Sequence, residues 1–131
     1  MSNLIKNLIG IVAIILVVSS CQYKFIVEPA PPPPQPGDTV SFSLELVPIW
    51  NGDDNCVACH TTGGQKPDLT PDNAYSSIMG MPGVVNTADP ESSLLYLYPL
   101  PSNTSNHTWK KYKAGEADLV LLWIKQGAKN N

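Results

Sequence analysis

Arginine is absent from the 131 residues, so every permanent cation is one of eight lysines, set against eleven Asp and Glu. Phosphate backbones are held by concentrated basic surface, which this acidic chain lacks, and no nucleic-acid partner is expected. Long apolar runs are missing too. The longest strictly apolar one, Ile11 to Val18, falls well short of the roughly 20 residues that span a bilayer. Cysteine is scarcer than the disulfide framework of a small exported domain requires, with only Cys21, Cys56 and Cys59. Asp53, Asp54 and Asp68 form no recognisable acid/base pair, so no hydrolase chemistry is read from them.

What is present divides into three segments. Residues 1–20 hold one charge, Lys6, then the apolar run, then Val18-Ser19-Ser20 before Cys21. A basic start, an apolar stretch and small residues before a cut site describe a secretory signal. With Cys21 next, the pattern resembles a bacterial lipobox, in which that cysteine is lipidated and becomes the mature N-terminus. Residues 21–38 contain six prolines between Pro29 and Pro36. Such a stretch is expected to adopt polyproline II, and its nine residues to Gly37 would then span about 28 Å at about 3.1 Å each, a semi-rigid spacer, against the plainer expectation of a linker of no particular reach. Residues 39–131 are the only part able to build a core, and their length allows one small domain.

Within that domain the punctuation is helical. Thr70-Pro71-Asp72 and Asp89-Pro90-Glu91 each place a capping side chain, a proline and an acid in order, predicting short helices over 71–79 and 90–98. Glu116 and Asp118 at one end, Lys125 at the other and Gly127 just beyond predict a last helix, apolar nearly all round and therefore buried. Phe42, Leu44 and Leu46 alternate in a way that also suits a strand, but a helix that begins or kinks near Pro48 is the favoured reading.

The chemistry concentrates in Cys56-Val57-Ala58-Cys59-His60. Two thiols at this spacing add to the two vinyl groups of one haem, and the histidine that follows is placed to bind the iron. A thioredoxin-like pair would sit beside a βαβ pattern, which is not visible. A zinc site would have to recruit Cys56, Cys59, His60 and His107, with two ligands adjacent in sequence, against usual spacing. A disulfide between Cys56 and Cys59 would close a loop too small to constrain much.

Together with Val47-Pro48-Ile49-Trp50, Gly63-Gly64, Pro67-Asp68-Leu69, Asp89-Pro90-Glu91-Ser92-Ser93-Leu94-Leu95-Tyr96 and Trp123-Ile124-Lys125-Gln126-Gly127-Ala128, the motif resembles the small class I-like monohaem c-type cytochrome domains of lipoproteins in Bacteroidetes-like and planctomycete-like bacteria. The resemblance implies an all-α fold around one covalent haem c, with Trp123 near a helix crossing and the haem edge. It implies His60 as one axial ligand and leaves the other open. His107, nine residues before Glu116, stands where related domains place their second ligand and is favoured; Met81, paired with Pro82, and Met79 are the alternatives. The expected activity is single-electron transfer by a lipid-anchored periplasmic carrier or respiratory-complex subunit, not an enzyme. A haem-based sensor and a zinc-stabilised lipoprotein are the competing expectations. Gln22, not an acidic residue, follows Cys21, which by analogy favours the outer membrane over the inner. Lys110, Lys111 and Lys113 would then lie where redox partner proteins approach.

Overall fold

The computed structural model describes Gly37 and residues 39–52 and 56–131. Residues 1–36, read from the sequence as a signal, a lipidation site at Cys21 and most of a proline-rich spacer, lie outside the described residues, as do Asp53 and Asp54. Among those described, regular structure is helical and no strand occurs. None of these helices is long and apolar enough to cross a membrane.

The first element is a π-helical turn, Phe42–Leu46, that runs directly into α1, Val47–Asn51. The change of winding falls where the sequence places Pro48, which has no N–H to donate and is tolerated only in a first turn. A strand is not formed, because Leu44, one of the three alternating residues, stands exposed while Phe42 and Leu46 are buried. A 3₁₀ turn, Cys56–Ala58, follows; then α2, Ala74–Met79, a second 3₁₀ turn at Pro90–Ser92, α3, Leu94–Leu97, and α4, Glu116–Lys125.

Two of the expected helices are shorter than their signals suggest. The hydroxyl of Thr70 donates to Asp68 Oδ1 at 2.6 Å instead of capping a helix, so residues 70–73 form a turn and α2 begins only at Ala74. The span 90–98 is broken at Ser93, whose backbone is extended (φ −62°, ψ 128°). Its hydroxyl accepts from the Asn86 amide at 2.9 Å, and the next two amides donate to Gly83 and Val84 carbonyls, which ties α3 to the preceding loop.

The last helix forms as its sequence signals require. The carboxylate of Glu116 accepts from the Lys113 amide at 2.7 Å. At the other end Gly127 takes φ +93°, and the amides of Gly127 and Ala128 donate to Ile124 and Trp123 carbonyls, both at 3.0 Å, a Schellman closure. Val120, Trp123 and Ile124 are fully buried.

Phe42 is the hub of the core. Its ring centroid lies 5.7 Å from that of Trp50, 5.2 Å from Tyr75 and 5.3 Å from Trp123, so one side chain joins α1, α2 and α4. Beside it the two ends of the domain are clasped. Phe42 N–H donates to Asn131 Oδ1 at 3.0 Å, Ser43 N–H to the Asn131 main-chain oxygen at 2.9 Å, and Val40 N–H to Gln126 Oε1 at 2.9 Å. Phe42→Ala is therefore expected to cost about 3–5 kcal/mol, the range for truncating a buried aromatic, and Phe42→Leu distinctly less. Denaturant unfolding of the two variants checks this; equal losses would show that the volume Leu retains contributes nothing and that the ring contacts carry the whole effect.

Candidate functional site

A cavity of about 460 Å³ opens between the Cys-x-x-Cys-His segment and the chain that precedes α4. Its walls are mostly apolar, from Trp50, Leu69, Met81, Val84, Leu94, Leu95, Pro99 and Tyr112, and no carboxylate among the described residues lines it. Cys56, Cys59, His60 and His107 all border it, so four of the residues singled out from sequence share one space.

The first wall is built from a tight local fold. Both Cys59 N–H and His60 N–H donate to the Cys56 carbonyl, at 3.1 and 2.9 Å, which curls the motif so that its two sulfurs and its imidazole border the same space. The chain then returns on itself: Gln65 N–H donates to the Cys59 carbonyl at 2.9 Å and Leu69 N–H to the His60 carbonyl at 2.8 Å. The return depends on Gly64, where a Cβ would meet the Cys59 carbonyl oxygen at 2.5 Å. Pro67, brought back by this loop, offers its carbonyl oxygen 2.8 Å from His60 Nδ1. A carbonyl only accepts, so Nδ1 carries the proton and Nε2 keeps a free lone pair, the state in which imidazole binds metals.

The two cysteines are unpaired thiols. Burial pushes the Cys56 thiol above its ordinary value, and the Glu116 charge adds to the effect. A sulfur held there is favoured in an uncharged form, either thiol or thioether.

His107 forms part of the opposite wall. It stands in the irregular segment 99–115, which is pinned at several points: Tyr112 N–H donates to the Pro99 carbonyl at 2.9 Å, the Tyr112 hydroxyl to the Leu95 carbonyl at 2.7 Å, and Lys111 Nζ to the Tyr98 and Asn103 carbonyls. Burial is the main cause that pulls the His107 imidazolium down, with repulsion by His60 and Lys111 behind it, so the ring is neutral at neutral pH. Its Nδ1 is buried without a hydrogen-bond partner. The His60 and His107 rings lie 6.1 Å apart between centroids, their planes 23° from parallel. That is too far for ring-on-ring contact. It is close to the separation of about 6 Å expected for two imidazoles that bind one metal from opposite sides, given metal–nitrogen bonds of about 2 Å.

The remaining sequence candidates separate clearly. Met81 lines the cavity and is half-buried, while Met79 is 41% exposed and lies outside the cavity wall. Trp123 lies at the helix crossing, against Phe42, but does not border the cavity: its indole N–H is held by the Lys129 carbonyl at 2.8 Å, which turns it into the core. The aromatic residues that do border the cavity are Trp50, Tyr98, Trp109 and Tyr112. Of these, Trp50 stood in the motif-bearing stretch before Cys56, whereas Tyr112 carries no signal in the local sequence. Among the described residues no three His, Cys, Asp or Glu side chains converge as a zinc site requires.

The residues present fit a haem: two thiols, the His60 imidazole with Nδ1 engaged by the protein, the His107 imidazole on the same apolar space, and a volume within the roughly 300–1,000 Å³ of cofactor sites. Comparison with known proteins finds no matching family model, curated protein or solved structure. Gly64→Ala is expected to disrupt the return of the chain to Pro67 and so to lower the melting temperature by at least about 4 °C, the shift that a loss of about 1 kcal/mol causes in a domain of this size, measured by thermal unfolding. Gly63→Ala tests the specificity of this effect, because a Cβ there would meet no atom within 4 Å although its φ of +82° adds strain.

Proposed function

We propose that this chain is a monohaem c-type cytochrome that carries single electrons at a membrane surface. The observation that supports this best is the opposition of His60 and His107, 6.1 Å apart, in the same apolar cavity that Cys56 and Cys59 border. A bound haem would supply the reversible one-electron couple. Cys56 and Cys59 would hold it as thioethers, and His60, through Nε2, and His107 would bind the iron. Two imidazole ligands predict a lower potential than an imidazole–thioether pair. The mostly apolar walls would limit water at a bound haem, and two protein ligands to its iron would favour outer-sphere transfer over substrate chemistry, which supports a carrier over an enzyme.

On this reading Cys21 is lipidated in the cell envelope and faces the periplasm, the outer membrane being favoured over the inner. The proline-rich segment gives the domain reach between a membrane donor and an acceptor, raising their effective concentration for each other. Redox partner proteins, among them a respiratory complex, are the expected partners.

One observation favours a second reading. His107 stands on a segment without helix, so its ring can leave the cavity at less cost than one fixed in a helix, and a displaceable distal ligand is what a haem-based sensor needs.

A pyridine haemochrome assay and intact-mass measurement are expected to find one haem c per chain; a chain with no haem overturns the whole reading. His107→Ala is expected to retain the haem but to convert a six-coordinate low-spin spectrum to high-spin. A near-infrared methionine–iron band that survives in His107→Ala would transfer the assignment to Met81. Rapid stoichiometric carbon monoxide binding by the unsubstituted reduced protein would favour the sensor.

A further inference from the structure

Asp68 is a charged side chain only 3% exposed, and none of the chemistry above uses it. Its carboxylate accepts four hydrogen bonds: from the Thr62 hydroxyl at 2.8 Å, the Thr70 amide at 3.0 Å, the Thr70 hydroxyl at 2.6 Å and Asn73 Nδ2 at 3.3 Å. These donors hold the carboxyl below its ordinary range, the Thr70 hydroxyl most of all. Burying a carboxylate is costly, and a single turn can be stabilised more cheaply by a neutral side chain. The place where this charge is buried gives it a purpose.

Pro67 C=O and Asp68 N–H belong to one peptide unit. The oxygen of that unit accepts from His60 Nδ1 at 2.8 Å, and its N–H donates to Ser77 Oγ at 2.7 Å. The peptide plane is therefore held at both ends, while the Asp68 side chain anchors the same residue to the turns on either side of it. Linked hydrogen bonds polarise one another, so donation from the amide to Ser77 makes the Pro67 oxygen a better acceptor for the imidazole proton. A fixed negative charge next to that oxygen acts in the same direction.

We propose that Asp68, with Ser77, is the positioning residue for His60: it fixes the Pro67–Asp68 peptide so that its carbonyl holds the Nδ1 proton and orients the ring. What the ring is oriented for rests on the haem reading above. A buried negative charge in the loop that holds a metal-binding imidazole favours the more positive oxidation state, so Asp68 also holds the reduction potential down.

The test uses the full chain as isolated, chemically reduced if it holds haem. The exchange rate of the His60 Nδ1 proton is measured by ¹⁵N-edited NMR in the unsubstituted protein, Asp68→Asn, Asp68→Ala and Ser77→Ala. Loss of the positioning is expected to speed exchange at least about fivefold in Asp68→Ala and Ser77→Ala, the factor equivalent to about 1 kcal/mol of hydrogen bonding. Asp68→Asn, which keeps an acceptor for Thr70, is expected to lie between them and the unsubstituted protein. In haem-loaded samples the midpoint potential rises in all three. Exchange within twofold of the unsubstituted rate in Ser77→Ala, and in Asp68→Ala if it folds, overturns the proposal even where thermal stability falls. Ser77→Ala removes a single hydroxyl and decides the matter if Asp68→Ala does not fold. A haemochrome assay on the same samples separates the two claims, since absence of haem rejects the carrier and leaves the exchange comparison intact.

Discussion

The hydrogen bond from His60 Nδ1 to the Pro67 carbonyl is the constraint on which the arrangement of the site rests. It is formed across seven residues, and each of those residues is bent to permit it. Gly64 lets the chain pass the Cys59 carbonyl, the amides of Gln65 and Leu69 fasten the return, and the buried carboxylate of Asp68 ties the far end of the loop to α2 through Asn73. Covalent neighbours on both sides thus have fixed places. The imidazole keeps one nitrogen engaged with the protein and one unengaged, and without that division of labour the ring has no preferred tautomer.

The wall carrying His107 is constructed on a different principle. No helix carries it, and order comes from single contacts: a lysine ammonium on two carbonyls, a buried tyrosine hydroxyl on a third, and an asparagine side chain whose oxygen accepts from the amides of Ser105 and Asn106. Polar residues therefore do the work that apolar packing performs around Phe42. Trp109, 78% exposed, stands at the rim of this wall, where the cavity meets solvent.

Legibility in the sequence followed the range of the interactions. Cys56, Cys59 and His60 are neighbours in the chain, and α4 announces itself through Glu116, Lys125 and Gly127, all within one helix length; their local structure follows directly. Thr70-Pro71-Asp72 carries an equally good local signal for a helix start, but Asp68 takes the Thr70 hydroxyl, and nothing in the triplet reveals that competition. Ser93 interrupts the second expected helix for a comparable reason, since its hydroxyl is engaged by the Asn86 amide seven residues earlier. The family resemblance implies Trp123 near the haem edge, yet its indole N–H is satisfied by Lys129, beyond the helix end. Tyr112 escapes notice altogether because its partner, the Leu95 carbonyl, is seventeen residues away. Pairings of this kind depend on where the chain goes after it leaves an element, which periodicity and capping rules do not address.

The clasp between residues 40–43 and 126–131 can be viewed mechanically. Val40, Phe42 and Ser43 are bonded to the last stretch of the domain by several roughly side-by-side hydrogen bonds, and none of these residues borders the cavity. A pull applied to the segment that precedes Thr39 is first shared among those bonds, then passed to α4 and to the aromatic cluster around Phe42. Of that cluster Trp50 borders the cavity, so the load reaches the cavity wall last. Strain that enters the domain at Thr39 is thus taken up at the clasp before it reaches the two imidazoles, which stand on other segments.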